Sequence, residues 1–296
     1  MRNLSMDALC EKIGNAVSKQ AISKYEKGES LPGSQILILL SQALDVKPDY
    51  FFRESQFAIS NIEFRKKAKM GVKEVEAIKE EIRDIIERYL EIEDVWGCVP
   101  SFANPVKEML VASEDDVCEV VKKLKDAWNI GEDGILSVTD LLESKNIKVV
   151  EIKADSSFDG LSGYVNNDEN MPFVVVNISF DVERLRFTGL HELGHLVMNL
   201  PEEMEKKDKE RLCNLFASEM LISCDIFVDV LGERRSDISL QELKVLQAVY
   251  GISVDALMFK AKTVGVISES KYTSFCIRKN KSLAFKNDGK FRLDKT

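Results

Sequence analysis

Apolar positions along this chain keep a helical rhythm almost throughout, and fall into short β-branched runs only between residues 147 and 178. The first 53 or so residues read as short helices joined by tight turns. Ser5 is a good N-cap for a helix over residues 6–13, with Leu4 and Leu9 at the two staple positions. Gly14 ends that helix. Ser18 caps the next, over residues 19–27, with Val17 and Ile22 again at staple positions and Gly28 at the favoured C′ position. Pro32 follows in the turn. Ile36, Leu37, Leu39, Leu40, Ala43 and Leu44 then give a third helix an apolar face. Over residues 63–93, Val72, Val75, Ile78, Ile82, Ile85, Ile86 and Tyr89 recur at near-helical spacing among mixed charges. That pattern predicts one long amphipathic helix with a solvated charged face. Its apolar stripe packs on the next domain or on a second copy of the chain, as in a homodimer. Pro100 and Pro105 interrupt the pattern, residues 115–128 resume it, and Gly131 and Gly134 mark a boundary.

Beyond that boundary residues 137–145 form a short helix. Residues 147–152, 161–165 and 173–178 read as strands, with a turn from Asp159-Gly160 and a polar turn over residues 166–170. A helical apolar run containing Phe187 to Val197 comes next, capped by Asp181 and ended before Pro201. Another helix covers residues 206–222. A small sheet beside such a helix offers a backbone edge to an extended peptide.

The chain has 296 residues, enough for two or three domains, and 45% hydrophobic content, enough for packed cores. No apolar run reaches membrane-spanning length and no signal-peptide pattern opens the chain, so a soluble, cytoplasmic protein with no membrane partner is expected. The six cysteines (Cys10, Cys98, Cys118, Cys213, Cys224, Cys276) include no C-x-x-C pair and read as free thiols. Net charge is −9, so contact with DNA requires a local basic patch.

Chemistry concentrates at His191-Glu192-Leu193-Gly194-His195. Histidines four apart lie on one face of a helix, one turn above the other, so both imidazoles reach one metal ion. Glu192 beside them can take a proton from water, which is the zinc-hydrolase arrangement. The only two histidines of the chain are these two. A catalytic zinc takes three protein ligands and keeps one position open. The third ligand must then be a carboxylate or a cysteine, and the helix over residues 206–222 carries the candidates. Glu210 is the best placed, with Asn214 four residues on to hold a ligand by hydrogen bonding. Glu219 lies half a turn around from Glu210, so the two cannot both face the metal. Cys213 lies off the Glu210 face, and Glu202, Glu203 and Glu205 read as solvated. Tyr164 and Tyr250 are both candidates to stabilise an oxyanion.

In the N-terminal part, two helices joined by a glycine turn, the second bearing Lys19, Gln20, Ser23 and Lys24, form a helix-turn-helix pattern. Such a second helix enters the DNA major groove, where Gln reads adenine and Lys reaches guanine or phosphate. The string from Val17 to Gly28 closely resembles the XRE (Cro/repressor-like) family. That family opens with one further helix, for which only Met1, Arg2 and Asn3 stand here, so the first helix is expected to be missing or nearly so.

The stretch Phe187-Thr-Gly-Leu-His191-Glu192-Leu-Gly-His195 resembles the core motif of the ImmA/IrrE metallopeptidase family. Glu210-Arg-Leu-Cys-Asn214-Leu-Phe216-Ala217 resembles its second motif, although Ser223 replaces a usual proline, Asn199 a frequent histidine, and the loop between the motifs is short. The resemblance, over about residues 60–270, implies Zn²⁺ held by His191, His195 and Glu210, with Asn214 behind them and Glu192 as general base. It further implies proteolysis of a transcriptional repressor, in a regulator of mobile elements or stress responses. The fold class expected is α+β, mainly α. A helix-turn-helix at 1–58 is followed by an amphipathic helical linker at 59–130. A zincin-like metallopeptidase core with a small sheet comes at 131–232, and a C-terminal helical region and tail at 233–296. Two other readings remain: a regulator of double-stranded DNA whose metal domain senses or scaffolds without turnover, and a protease that cuts its own linker near Phe57 to Met70.

Overall fold

The computed structural model describes residues 4–52, 59–60, 71–97, 101–165 and 171–281. The chain divides into two compact units, one formed by Met1–Ala58 with Met70–Glu91, the other by Ile59–Lys69 with Ile92–Thr296.

In the first unit, α1 (Met6–Lys12), α2 (Lys19–Glu26) and α3 (Ser34–Leu44) precede a short 3-10 turn over Pro48–Phe52. The caps are those expected: Ser5 accepts from the Ala8 N–H, and Ser18 from the Ala21 N–H. Gly28, just past α2, has φ +69°, a conformation that costs a side chain dearly. Leu9, Cys10, Ile13, Ile22 and Leu40 close a core, and all four staple residues (Leu4, Leu9, Val17, Ile22) enter it. Three helices and a turn therefore bury a shared core by themselves. The helix α4 (Val72–Val95) buries Val75, Ile78, Ile82, Ile86 and Leu90 along one stripe. The described helix begins at Val72, and the part of the expected helix over residues 63–70 lies outside the described residues.

The second unit begins with β1 (Ile59–Ser60), a strand too short to show periodicity and absent from the expectations. α5 (Glu114–Trp128) starts in a capping box made by Ser113 and Asp116. α6 (Val138–Ser144), β2 (Lys148–Ile152), β3 (Gly160–Val165) and β4 (Pro172–Asn177) follow close to where the sequence puts them. The polar turn expected at 166–170 lies outside the described residues. The sheet runs β1-β3-β4-β2, with β2 parallel to β4 and the other pairs antiparallel. Every residue of β4 is buried, which is why it reads as an unbroken apolar run instead of an alternation.

Then come α7 (Val182–Val197), α8 (Lys206–Leu221), α9 (Cys224–Leu231), α10 (Leu240–Tyr250), α11 (Val254–Thr263) and α12 (Glu269–Lys281). Asp181 occupies the N-cap of α7, but its side chain makes no capping hydrogen bond, contrary to expectation. α7 packs on β3 and β4 on one side and on α8 on another. One core joins residues of α5, the sheet and α7 to α12. At the C-terminal edge of β4, buried Asn177 donates to the carbonyls of Ala154, Asp155 and Phe158 and accepts from the N–H groups of Ala154 and Ser179. Its amide thereby ties the loop between β2 and β3 to the sheet. Arg186 does the same for the C-terminal helices, donating to the carbonyls of Ile135, Leu136 and Tyr250.

Candidate metal centre

α7 is buried nearly all round over Thr188 to Gly194, so its side chains are held by packing rather than by solvent-exposed contacts. Histidine pitch does the rest. The rings of His191 and His195 lie with centroids 5.1 Å apart, tilted by 61°. Both Nε2 atoms face the Glu210 carboxylate on α8, at 3.5 Å from His191 and 3.9 Å from His195. One donor atom from each of the three residues lies within 4.8 Å of the other two. Tetrahedral zinc with bonds of about 2.0–2.1 Å requires donors about 3.3 Å apart, so the cluster fits such an ion after a contraction of at most about 1.5 Å. Two neutral nitrogen donors and one carboxylate are also the donor chemistry this ion takes in hydrolases.

Gly194 sets the approach of the second helix. A Cβ there would meet the Phe216 ring of α8 at 3.1 Å, so its hydrogen lets α8 bring Glu210 up to the histidines. The C-terminal end of α7 is anchored from outside the helix: the Tyr164 hydroxyl donates to the Leu196 carbonyl at 3.0 Å and the Asn104 amide to the Val197 carbonyl at 2.8 Å. Such bonds satisfy carbonyls that the helix itself leaves open. Tyr164 thus spends its proton on the helix, and Tyr250 lies in the C-terminal core, its carbonyl taken by Arg186.

Glu192, 3% exposed, points to the sheet side, where the Ser162 hydroxyl of β3 donates to its Oε2 at 2.8 Å. Ser162 was not singled out from sequence, and neither was Asn104, because their partners lie 30 and 93 residues away. The other acids and thiols fall elsewhere. Cys213 is fully buried in the core. Glu219 pairs with Lys260 of α11 at 2.5 Å, both side chains only 4% exposed, and also accepts from the Cys224 N–H and thiol. Burial, with Glu219 beside it, pushes the Cys224 thiol up to about 12 and keeps it an S–H donor. Asn214 is exposed on α8, one turn beyond Glu210. The described cysteines Cys10, Cys118, Cys213, Cys224 and Cys276 are all free thiols.

On α2, Lys19, Gln20 and Lys24 are exposed and Ser23 is half-buried. Lys19 is paired with Asp7 of α1 at 2.6 Å. Residues 1–52 carry six basic and six acidic side chains, so attraction to a phosphate backbone must come from how they are distributed, not from net charge.

Comparison with known proteins places two domains on this chain. Residues 1–51 match the family model described as helix-turn-helix, and residues 142–262 match a peptidase-family model described as IrrE N-terminal-like domain. The chain is also similar to the uncharacterized HTH-type transcriptional regulator y4aM of Sinorhizobium fredii, with 45% identity over 53 residues. That match covers 18% of this chain and spans 36% of the relative's length. No helix among the described residues is long and apolar enough to cross a membrane.

Proposed function

Because the chain joins a transcription-regulator-type helix-turn-helix domain to an IrrE N-terminal-like peptidase domain, we propose that it is a zinc-dependent endopeptidase that regulates transcription by cutting a repressor protein. The observation that carries this reading is the convergence of His191, His195 and Glu210 from two helices, with Glu192 on the same helical turn as the histidines. In this reading His191, His195 and Glu210 hold the ion, and Asn214 steadies the arrangement from one turn along α8. Bound there, zinc supplies Lewis acidity, bringing the pKa of water toward about 7 and polarising a carbonyl. Glu192 takes the proton from the attacking water at its carboxylate and returns it to the nitrogen of the leaving amine, so the peptide bond is exchanged for an acid and an amine. Burial of Glu192 excludes bulk water from that transfer, and the Ser162 hydroxyl holds one carboxylate oxygen in place. Lys19, Gln20, Ser23 and Lys24 of α2 are the side chains that would read DNA, and the cytoplasm is the compartment that holds such targets.

The test is incubation of the zinc-loaded chain and its Glu192→Gln variant with candidate repressors. Cleavage by the parent, reduced about 10²–10⁴-fold in the variant, is expected for loss of a general base; equal cleavage by both removes Glu192 from that role. A second reading is favoured by the self-contained core of the first unit and the exposed face of α2: a DNA-binding regulator whose metal domain does not turn over. Duplex binding by a parent that leaves every repressor intact at full metal loading would select it.

A further inference from the structure

A groove of about 1180 Å³ shares Glu210 with the metal cluster and has Phe187, one turn before His191, in its wall. It follows α8 from Glu210 past Asn214 to Ser218 and is walled on the other side by α10, α11 and α12. Its volume exceeds the roughly 300–1,000 Å³ typical of small-ligand pockets. Eight residues of helix span about 12 Å, which matches about three or four residues of extended chain.

Half of the charged side chains along the groove are committed to one another. Lys260 pairs with Glu219, Arg211 with Glu114 and Lys279 with Asp255, while the Gln247 amide donates to Glu183. The walls also carry Asp181, Arg184, Lys207 and Lys244. Between the charges they offer a ligand an apolar set: Phe187, Leu215, Ile252, Val254, Phe259 and Tyr272. Phe259 remains 53% exposed although its ring packs edge-on against Tyr272, so a large apolar face stands open to whatever enters. Phe187 lies one turn before His191, with ring centroids 6.4 Å apart, which puts one apolar wall residue of the groove beside a residue of the metal cluster.

We infer that this groove is the specificity subsite of the peptidase, holding about three or four residues of the substrate polypeptide on one side of the scissile bond and selecting large apolar side chains there. The inference rests on the peptidase reading above for the identity of the occupant, and Glu210, which lines the groove and belongs to the metal cluster, is what commits it to substrate.

The experiment scans peptides that vary in the residues flanking the cut, using the zinc-loaded full chain and the variants Phe259→Asp and Leu215→Asp. The parent should prefer Leu, Phe or Met over Asp or Lys by at least about tenfold in kcat/KM, an increment of the size apolar pockets discriminate. Each variant should erase most of that preference through KM, with kcat and bound zinc held. Cleavage whose flanking preference is unchanged in both variants overturns the groove while leaving the peptidase standing. The same fluorescein-labelled peptides titrated onto the Glu192→Gln chain test the groove even if nothing is cut. Apolar peptides that bind the parental groove and are lost in Phe259→Asp support it, and equal binding of apolar and charged peptides overturns it.

Discussion

Replacing Lys260 by Met tests whether the join between α8 and α11 is electrostatic in the way the structure implies. Lys260 and Glu219 are each 4% exposed and meet at 2.5 Å, so removing the ammonium leaves a carboxylate in the core with the Cys224 N–H and thiol as donors and the buried Lys125 ammonium as the remaining nearby cation. At an effective dielectric of about 20, two unit charges at this range attract by about 7 kcal/mol before desolvation is counted, and stripping one partner from a buried pair costs about 3–5 kcal/mol. For a unit of this size each kcal/mol moves Tm by about 2–4 °C, so Lys260→Met should lower it by about 6–20 °C. Unfolding of a chain with two units is not two-state, so the probe must report on the second unit alone. Trp128 is buried there, whereas Trp96 is 83% exposed and can be changed to Phe beforehand. The double variant Glu219→Gln with Lys260→Met removes the stranded charge while keeping an acceptor for Cys224, and should recover more than half of the loss. A single variant within 1 kcal/mol of the parent, or a double variant no better than the single, refutes the reasoning.

Gly194→Val should cost about 1–3 kcal/mol by overpacking against Phe216, and should lower zinc affinity because α8 carries Glu210 away; calorimetric zinc titration at parental strength would sink that account. His195→Ala should bring metal per purified chain from about one equivalent toward zero by elemental analysis, and should abolish the stabilisation by added zinc, about 2.7 kcal/mol at a hundred times Kd. Unchanged metal content would show that the ion sits elsewhere. The Ser239 N–H, then Arg235, then the Ser239 hydroxyl hold the Glu242 carboxyl down at about 2. Its folded value lies below the unfolded one of about 4.3, so it stabilises α10 above that pH and the contribution fades as pH falls through about 2. An NMR titration midpoint above 4 for Glu242 contradicts this.

Features that depend on neighbours in sequence were legible and those that depend on distant partners were not. The pitch of one helix puts His191 beside His195, and the caps Ser5, Ser18 and Ser137 act within three residues of themselves. Likewise the half-turn between Glu210 and Glu219 is visible in their spacing, but the identity of the group facing Glu219 is not, since Lys260 arrives from 41 residues away. The bonds by which Ser162, Tyr164, Asn104, Asn177 and Arg186 tie distant segments together cross 19 residues or more, and nothing in a periodic pattern marks a serine or an asparagine as bound rather than solvated. The groove is hidden for the same reason, because its walls come from helices that touch only after folding. β1 escapes because two residues carry no alternation, and Asp181 shows the converse: a residue of the right type at the right position whose side chain does not engage.

The chain leaves the first unit after Ala58, lends β1 to the sheet of the second through Ile59↔Val165 and Ser60↔Tyr164, and returns at Met70 before leaving again after Glu91. The two bodies are therefore stitched by three passages of backbone instead of one tether. A single break between residues 59 and 69 leaves residues 70–91, part of the first unit, joined by backbone to residues 92–296 of the second, while residues 1–58 lose their backbone link to both.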